Sequence, residues 1–261
     1  MCEVLKIPLH AVNFATEDWD NVFAHCLREF QAGRTPNPDV LCTREIKFKV
    51  FLEQALRLGG TAIATGHYVQ LGRSPEGPEG KVQLLKGEDP NKDQSYFLYM
   101  LAQSQLAHSY FPIGHLYKAR VRELAAQAGL ATQAKRDSTG ICFIGERPFK
   151  DFLKRFLPAQ PGPLETPEGQ YLGPHDGVMF YTLGQRQGLK IGGQAGRSGQ
   201  PWYVVAKDIP NNRLIVAQGH DHPLLFSQIV SAIEVHWISG HAPPIPYSCS
   251  AKTRYRQADQ P

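Results

Sequence analysis

Thr61-Ala-Ile-Ala-Thr65-Gly66-His67-Tyr68 is the stretch on which the fold turns. Residues 61–65 carry no charge and sit between Gly59-Gly60 and Gly66, which reads as a short buried strand of a parallel sheet. A strand covered on both faces has no need of alternating polar residues. In an open α/β sheet, ligands gather beyond the carboxyl ends of the strands, which puts Gly66 and His67 at a candidate binding edge. A histidine at that place is either a ligand contact or a packed structural side chain. Working upstream, Trp19, Val22, Phe23, Cys26, Leu27 and Phe30 recur at helical spacing, and Gly33 supplies the stop. Pro8 to Phe14 reads as a strand ahead of that helix. Arg34-Thr-Pro-Asn-Pro-Asp39 reads as a loop stiffened by two prolines, and a second helix is expected from near Leu41 to Gly59-Gly60. Helices alternating with apolar strands give an α/β class.

Downstream, Ser74 to Gly80 reads as a loop tip and Val82 to Leu85 as a strand. Helices are expected at Asp93 to Gln103, Lys118 to Gly129 and Phe149 to Leu157. The composition changes at Pro158: the last 104 residues hold 12 Pro and 12 Gly, against 8 and 12 in the preceding 157. Short β-rich runs follow at Val178 to Leu183, Trp202 to Lys207, Arg213 to Ala217 and Ile229 to Trp237, with Asp208-Ile-Pro-Asn-Asn212 as a hairpin turn. These runs predict a β-barrel-like domain over 158–261, after an α/β domain over 1–110 and a central helical region over 111–157.

The chain has 261 residues, 42% hydrophobic and 20% charged, with a formal net charge of +4. That composition suits a globular protein with a sizeable core and excludes a disordered or collagen-like chain. No apolar run approaches the ~20 residues of a membrane span, and the N-terminus lacks the pattern of a secretory signal. Five cysteines without a CxxC pair argue against a stapled secreted scaffold and fit a reducing cytoplasm.

Two of those thiols stand out. Cys42 follows Asp39 by three residues, where a helix is expected to begin, and both the helix dipole and Arg44 would favour its thiolate. Cys142 is flanked by Gly140 and Gly145, which let the backbone turn sharply and present the sulfur. Either thiol could equally be a small buried hydrophobe. Asp39 could serve as an acid or base, or cap the following helix. Basic residues cluster around Cys142: from Lys118 to Arg155 there are nine against four acids. Arg186, Lys190 and Arg197 lie in a Gly-rich stretch without acids. Lys252, Arg254 and Arg256 alternate, which on a strand would put all three cations on one face. Such clusters neutralise phosphates, or are simply solvated.

Gly33-Arg-Thr-Pro-Asn-Pro-Asp-Val-Leu-Cys42, Ile46-Lys-Phe48, Ala64-Thr-Gly-His-Tyr68, Lys92-Asp-Gln94, Gly140-Ile-Cys-Phe-Ile-Gly145, Tyr181-Thr-Leu-Gly-Gln-Arg186 and Trp202-Tyr-Val-Val205 together resemble the tRNA-specific 2-thiouridylases, tRNA-uridine 2-sulfurtransferases acting on the wobble uridine. The resemblance runs over nearly the whole chain. It implies a PP-loop (adenine nucleotide alpha hydrolase-like) domain with a parallel sheet, a central linker domain and a β-barrel. It implies ATP and Mg2+ as cofactors, with Gly66 at the nucleotide, and tRNA as partner alongside a persulfide sulfur-relay protein or a cysteine desulfurase. In the family's terms Cys142 carries a persulfide, Cys42 attacks it, the pair ends as a disulfide, and Asp39 moves protons. Asn37, Pro38 and Asp39 meet the target base, while His67, Lys92, Asp93, Gln94, Arg254 and Tyr255 meet the tRNA. The family's Ser-Gly-Gly-x-Asp-Ser loop does not occur in the sequence. The expectation is therefore a chain lacking its first strand and PP-loop and ending, at Gln257-Ala-Asp-Gln-Pro261, inside a partial barrel. Two alternatives accompany the sulfurtransferase: an RNA-binding remnant without activity, and a thiol-disulfide redox protein using the same cysteines.

Overall fold

The computed structural model describes residues 1–73, 81–135, 149–192 and 199–261. The Ser74–Gly80 tip, Arg136, Asp137, the Gly140–Gly145 motif with Cys142, Arg147 and Arg197 lie outside the described residues. The chain forms two compact units. One comprises Met1–Val22, Pro38–Ile141 and Glu234–Pro261, the other Phe23–Asn37 and Cys142–Ile233. Among the described residues, no helix is long and apolar enough to cross a membrane.

The first unit is built round the 61–65 stretch. Strand β1 (Ile63–Ala64) pairs in parallel with a later strand, Ser109–Tyr110, in register Ile63 to Ser109 and Ala64 to Tyr110. Between them in sequence comes a separate antiparallel hairpin of β2 (Val69–Arg73) and β3 (Val82–Lys86); Ser109–Tyr110 is β4. Packed against these strands is one long helical run: α-helix Pro38–Cys42, a π-helical stretch Thr43–Val50, and α-helix Phe51–Arg57. Its inward residues Phe48 and Leu52 join Ile63, Val69, Leu98, Leu101, Leu106 and Phe111 in one apolar core. The run ends where expected, with Gly59 in the left-handed region at φ 87°.

Four expectations fail here. Pro8–Phe14 is not a strand, and no described strand pairs with it; an unpaired strand leaves its backbone groups without ladder partners. The helix expected over Asp93–Gln103 is two short ones, Ser95–Leu98 and Gln103–Leu106. They are separated at an extended Ala102, whose N–H is taken by the Gln105 side chain at 2.8 Å. The proline loop ends earlier than expected, because Pro38 opens the helix, at the first helical position where its missing N–H costs nothing. Finally, Lys252, Arg254 and Arg256 do not lie on a strand. The Gln257 N–H closes a turn on the Arg254 carbonyl at 3.2 Å, and Arg256 takes φ 67°, so the alternation that would align three cations never forms.

The second unit holds helix Ala24–Gln31, helix Phe149–Leu153 and a four-stranded sheet. Its strands are β5 (Gly162–Glu165), β6 (Tyr171–His175), β7 (Trp202–Asp208) and β8 (Arg213–Gln218), in spatial order β6-β5-β8-β7. The β7–β8 hairpin appears as the sequence predicts. Asp208 locks its turn by accepting from the Asn211 side chain at 2.9 Å and from Arg213 at 2.6 Å. Leu164, Tyr181, Leu189, Trp202, Val204, Leu214 and Val216 form the core. β5 and β6 were not anticipated, since Gly162-Pro163 and Gly173-Pro174 disguise both strands as loops. Conversely, Val178–Phe180 is a 3-10 turn and Ile229–Trp237 contains no strand. An apolar run becomes a strand only where a neighbour supplies the ladder.

Candidate active site and nucleic-acid interface

Asp39 and Cys42 are the second and fifth residues of the helix that opens at Pro38. At that spacing their side chains are neighbours on one face. Val40, Leu41, Cys42 and Thr43 are all buried, so the turn faces the interior and the half-buried Asp39 shares its desolvated environment. This corrects two expectations. Asp39 lies inside the helix instead of capping it. Cys42 lies beyond the first turn, where the dipole's effect on a thiol has faded. Arg44 is engaged elsewhere, its guanidinium 2.6 Å from the Glu45 carboxylate.

Burial pushes the Asp39 carboxyl above the ordinary carboxylate range, and the Lys47 ammonium pulls it partly back. Burial also drives His67 down to about 4, and Lys47 adds to that shift. His67 lies just beyond β1, its Nδ1 2.8 Å from the Thr65 hydroxyl and its ring 5.7 Å from Phe48 and 6.3 Å from Phe111. One cation, Lys47, thus acts on both groups. Sequence reasoning missed it as a site residue: within Ile46-Lys47-Phe48 it has the look of a solvated helix lysine, and nothing local says what it faces.

The His67 environment has a consequence for stability. Its pKa is depressed on folding, so the unfolded chain binds the extra proton first as pH falls. Stability is therefore full above about pH 6.5 and declines down to about pH 4, by roughly 3 kcal/mol at the limit. Urea unfolding of His67→Gln over that range should show a flatter acid limb than the parent chain. An unchanged limb would mean that this ring is not the group responsible.

Gly66 is exposed at the carboxyl end of β1, and a Cβ placed there would meet nothing closer than Ile113 at 3.9 Å. The open backbone fits the approach of a nucleotide at a sheet's carboxyl edge. Among the described residues, no three His, Cys, Asp or Glu side chains gather as a cation site.

The Gly66–Tyr68 loop is pinned to the Lys92–Gln94 turn. Tyr68 N–H donates to the Gln94 side chain at 2.9 Å, and Gln94 N–H donates to the Tyr68 carbonyl at 3.0 Å. The buried Asp93 accepts from Gly87 N–H at 2.9 Å and from the Ser95 hydroxyl at 2.8 Å. Asp93 and Gln94 thus use polar side-chain atoms to shape the turn, and Lys92 is carried on it. The turn borders a cavity of about 360 Å³, lined by Pro90, Asn91, Lys92, Asp93, Tyr96, Lys252, Tyr255 and Arg256. Tyr255 packs against Phe97 at 4.5 Å between centroids with the two rings tilted by 51°, lies 6.0 Å from Tyr96, and has the Arg256 guanidinium 5.6 Å from its ring. Three cations and two tyrosines around one hollow are the ingredients for holding a phosphodiester strand and stacking a base. Residues 92–93 and 255 are brought together here from distant parts of the sequence; Arg254 lies one residue from the lining and Cys142 outside the described residues. Asn37 belongs to the second unit and Pro38 to the first.

A family profile described as the tRNA methyl transferase HUP domain matches residues 1–146, and one described as the tRNA methyl transferase PRC-barrel domain matches residues 150–218. The chain is 59% identical over 257 residues to the tRNA-specific 2-thiouridylase MnmA of Nitrosococcus oceani, covering 98% of this chain and 69% of that protein. It is 57% identical over 262 residues to the protein of the same name from Idiomarina loihiensis and 58% identical over 263 to that from Methylococcus capsulatus, each match covering all of this chain and 70% of the relative. With a HUP-domain match over more than half its length and relatives this similar along the whole of it, the chain belongs to the tRNA-specific 2-thiouridylase family of enzymes.

Proposed function

We propose that the chain performs 2-thiolation of the wobble uridine of tRNA. The observation that carries this reading is the turn Asp39–Cys42, a carboxyl pushed up by burial one helical turn from a buried thiol. The C2 carbonyl of uracil is a poor electrophile, so it must be activated before sulfur can enter. ATP, when bound, supplies the adenylyl group that makes O2 a leaving group. Gly66 would lie against the nucleotide, with Mg2+ accompanying the phosphates.

The remaining steps belong to the chain's own residues. Asn37, Pro38 and Asp39 meet a uridine turned out of the anticodon stack, as base-modifying enzymes require. Cys142 carries the incoming sulfur as a persulfide, taken from a relay protein or a cysteine desulfurase. The Cys42 thiolate attacks the Cys142 sulfur and a Cys42–Cys142 disulfide forms; the terminal sulfur departs with the bonding electron pair. That sulfur, as hydrosulfide, adds to C2, the activated oxygen leaves as AMP, and Asp39 takes up the proton. A carboxyl that burial raises above its ordinary range suits that exchange. Lys92, Tyr255 and Arg254, with the flanking Lys252 and Arg256, hold the tRNA strand, and His67 meets the tRNA as a neutral ring. This chemistry fits a cytoplasmic setting, where thiols stay reduced.

The test is formation of 2-thiouridine on unmodified tRNA with ATP, Mg2+ and a sulfide donor. Product is expected. Tight tRNA binding without product would favour the RNA-binding remnant, and disulfide turnover without tRNA the redox protein. Tyr255→Ala is expected to weaken tRNA binding by about 1–3 kcal/mol, the range for loss of a stacking platform, read by fluorescence anisotropy at fixed salt. Unchanged affinity would remove the cavity from the interface.

A further inference from the structure

The segment leading to Asn37 leaves helix Ala24–Gln31 through Gly33. Gly33 takes φ 72°, its N–H reaches the Phe30 carbonyl at 2.9 Å, and Arg34 N–H reaches Glu29 at 2.9 Å, the double bond of a glycine-ended helix. Residues far along the chain then take hold of this exit. The Lys207 ammonium donates to the Gly33 carbonyl at 2.8 Å across 174 positions of sequence. Ile209 fills the space beside Gly33 so closely that a Cβ would lie 2.1 Å from its Cδ1. The Thr35 and Thr182 hydroxyls meet at 3.1 Å. Lys207 is the last residue but one of strand β7 and Ile209 follows in the turn that Asp208 and Arg213 lock, so the grip comes from a rigid hairpin. All these residues lie in the second unit.

Lys207 is an expensive way to add mere stability. It is partly buried, burial lowers its pKa, and among the described residues no carboxylate pairs with it. A desolvated ammonium on a carbonyl costs more than an apolar side chain of the same volume would. What the ammonium adds is direction.

We propose that Lys207 is a positioning residue: through the Gly33 carbonyl, with Ile209 and Thr182, the β7–β8 hairpin sets the path of the chain that presents Asn37 to the target base. The catalytic part of this rests on the function assigned to Asn37 above; the clamp rests on its contacts alone.

Two readouts separate those parts in the full chain. The first is native-state trypsin cleavage after Arg34, an exposed site within the clamped segment. Lys207→Met should speed it by about fivefold or more, because local opening exposes the bond. Thr182→Val should do so to a smaller degree, and Lys207→Arg, which keeps a donor, should stay slow. The second readout is kcat/KM for thiolation. Lys207→Met should lower it about tenfold through misplacement, and should add nothing in an Asn37→Ala background. Unchanged cleavage in both Lys207→Met and Thr182→Val overturns the clamp. Faster cleavage with full activity, or losses that multiply with Asn37→Ala, overturns the positioning role. Full activity of Asn37→Ala alone overturns the role of Asn37, and the positioning role with it, while the cleavage rates still judge the clamp. If Lys207→Met does not fold, Thr182→Val carries both readouts.

Discussion

Cys42→Ser is expected to abolish turnover, lowering 2-thiouridine formation by about 10³-fold or more, while leaving the fold intact. A serine hydroxyl stays protonated at neutral pH and attacks sulfur poorly, so the S–S bond on Cys142 would go unbroken. Serine has nearly the volume of cysteine, and the stability change at this buried site should stay within about 1–2 kcal/mol. Cys142→Ser should be equally inactive for a different reason, since no persulfide can form. Mass spectrometry tells the two apart: with a persulfide donor, Cys42→Ser should accumulate a +32 Da adduct on Cys142 (about one sulfur atom), and Cys142→Ser should accumulate none there. Thiolation at the parent rate in either variant would sink the two-thiol mechanism.

Asp39→Asn should lower the rate by about 10²–10⁴-fold, the usual contribution of a placed acid or base. Its stability should move the other way. The Asp39 pKa is raised by folding, so protonation favours the folded chain. That stabilisation is present at acid pH and lost as pH rises from the ordinary carboxylate value through the raised one. At neutral pH the folded protein therefore holds an unfavourable buried charge. Asparagine removes the charge at equal size, so the melting temperature should hold or rise as activity collapses. The parent rate profile should show an acid limb above the usual carboxylate range, and Asp39→Asn should lack it. A variant that loses activity and stability together would mark Asp39 as a structural residue.

Much of the candidate site could be read before any coordinates. The Asp39–Cys42 spacing and the apolar strand leading to Gly66-His67 depend on neighbours in sequence, whereas the Lys92–Gln94 turn falls where a helix from Asp93 was expected. Lys47 escaped notice because a helix lysine has the same local pattern whether it faces water or a buried carboxyl. The alternation of Lys252, Arg254 and Arg256 misled because period two also occurs in a turn. The dipole expected at Cys42 vanished because Pro38 started the helix one turn sooner than its loop-like surroundings implied.

The sequence by itself determined the features decided within a few residues: the helix stops at Gly33 and Gly59, the Asp208–Asn212 hairpin turn, the place of a strand within 61–65, which forms over Ile63–Ala64 alone with Ala64 exposed, and the family. Only the tertiary structure decided which apolar runs became strands, since Pro8–Phe14 found no ladder while Gly162–Glu165 did. It alone brought Tyr255 beside Lys92 and hung Gly33 on Lys207. The reason is physical: caps and turns are satisfied by adjacent backbone groups, whereas desolvation and strand pairing depend on groups that only folding brings near.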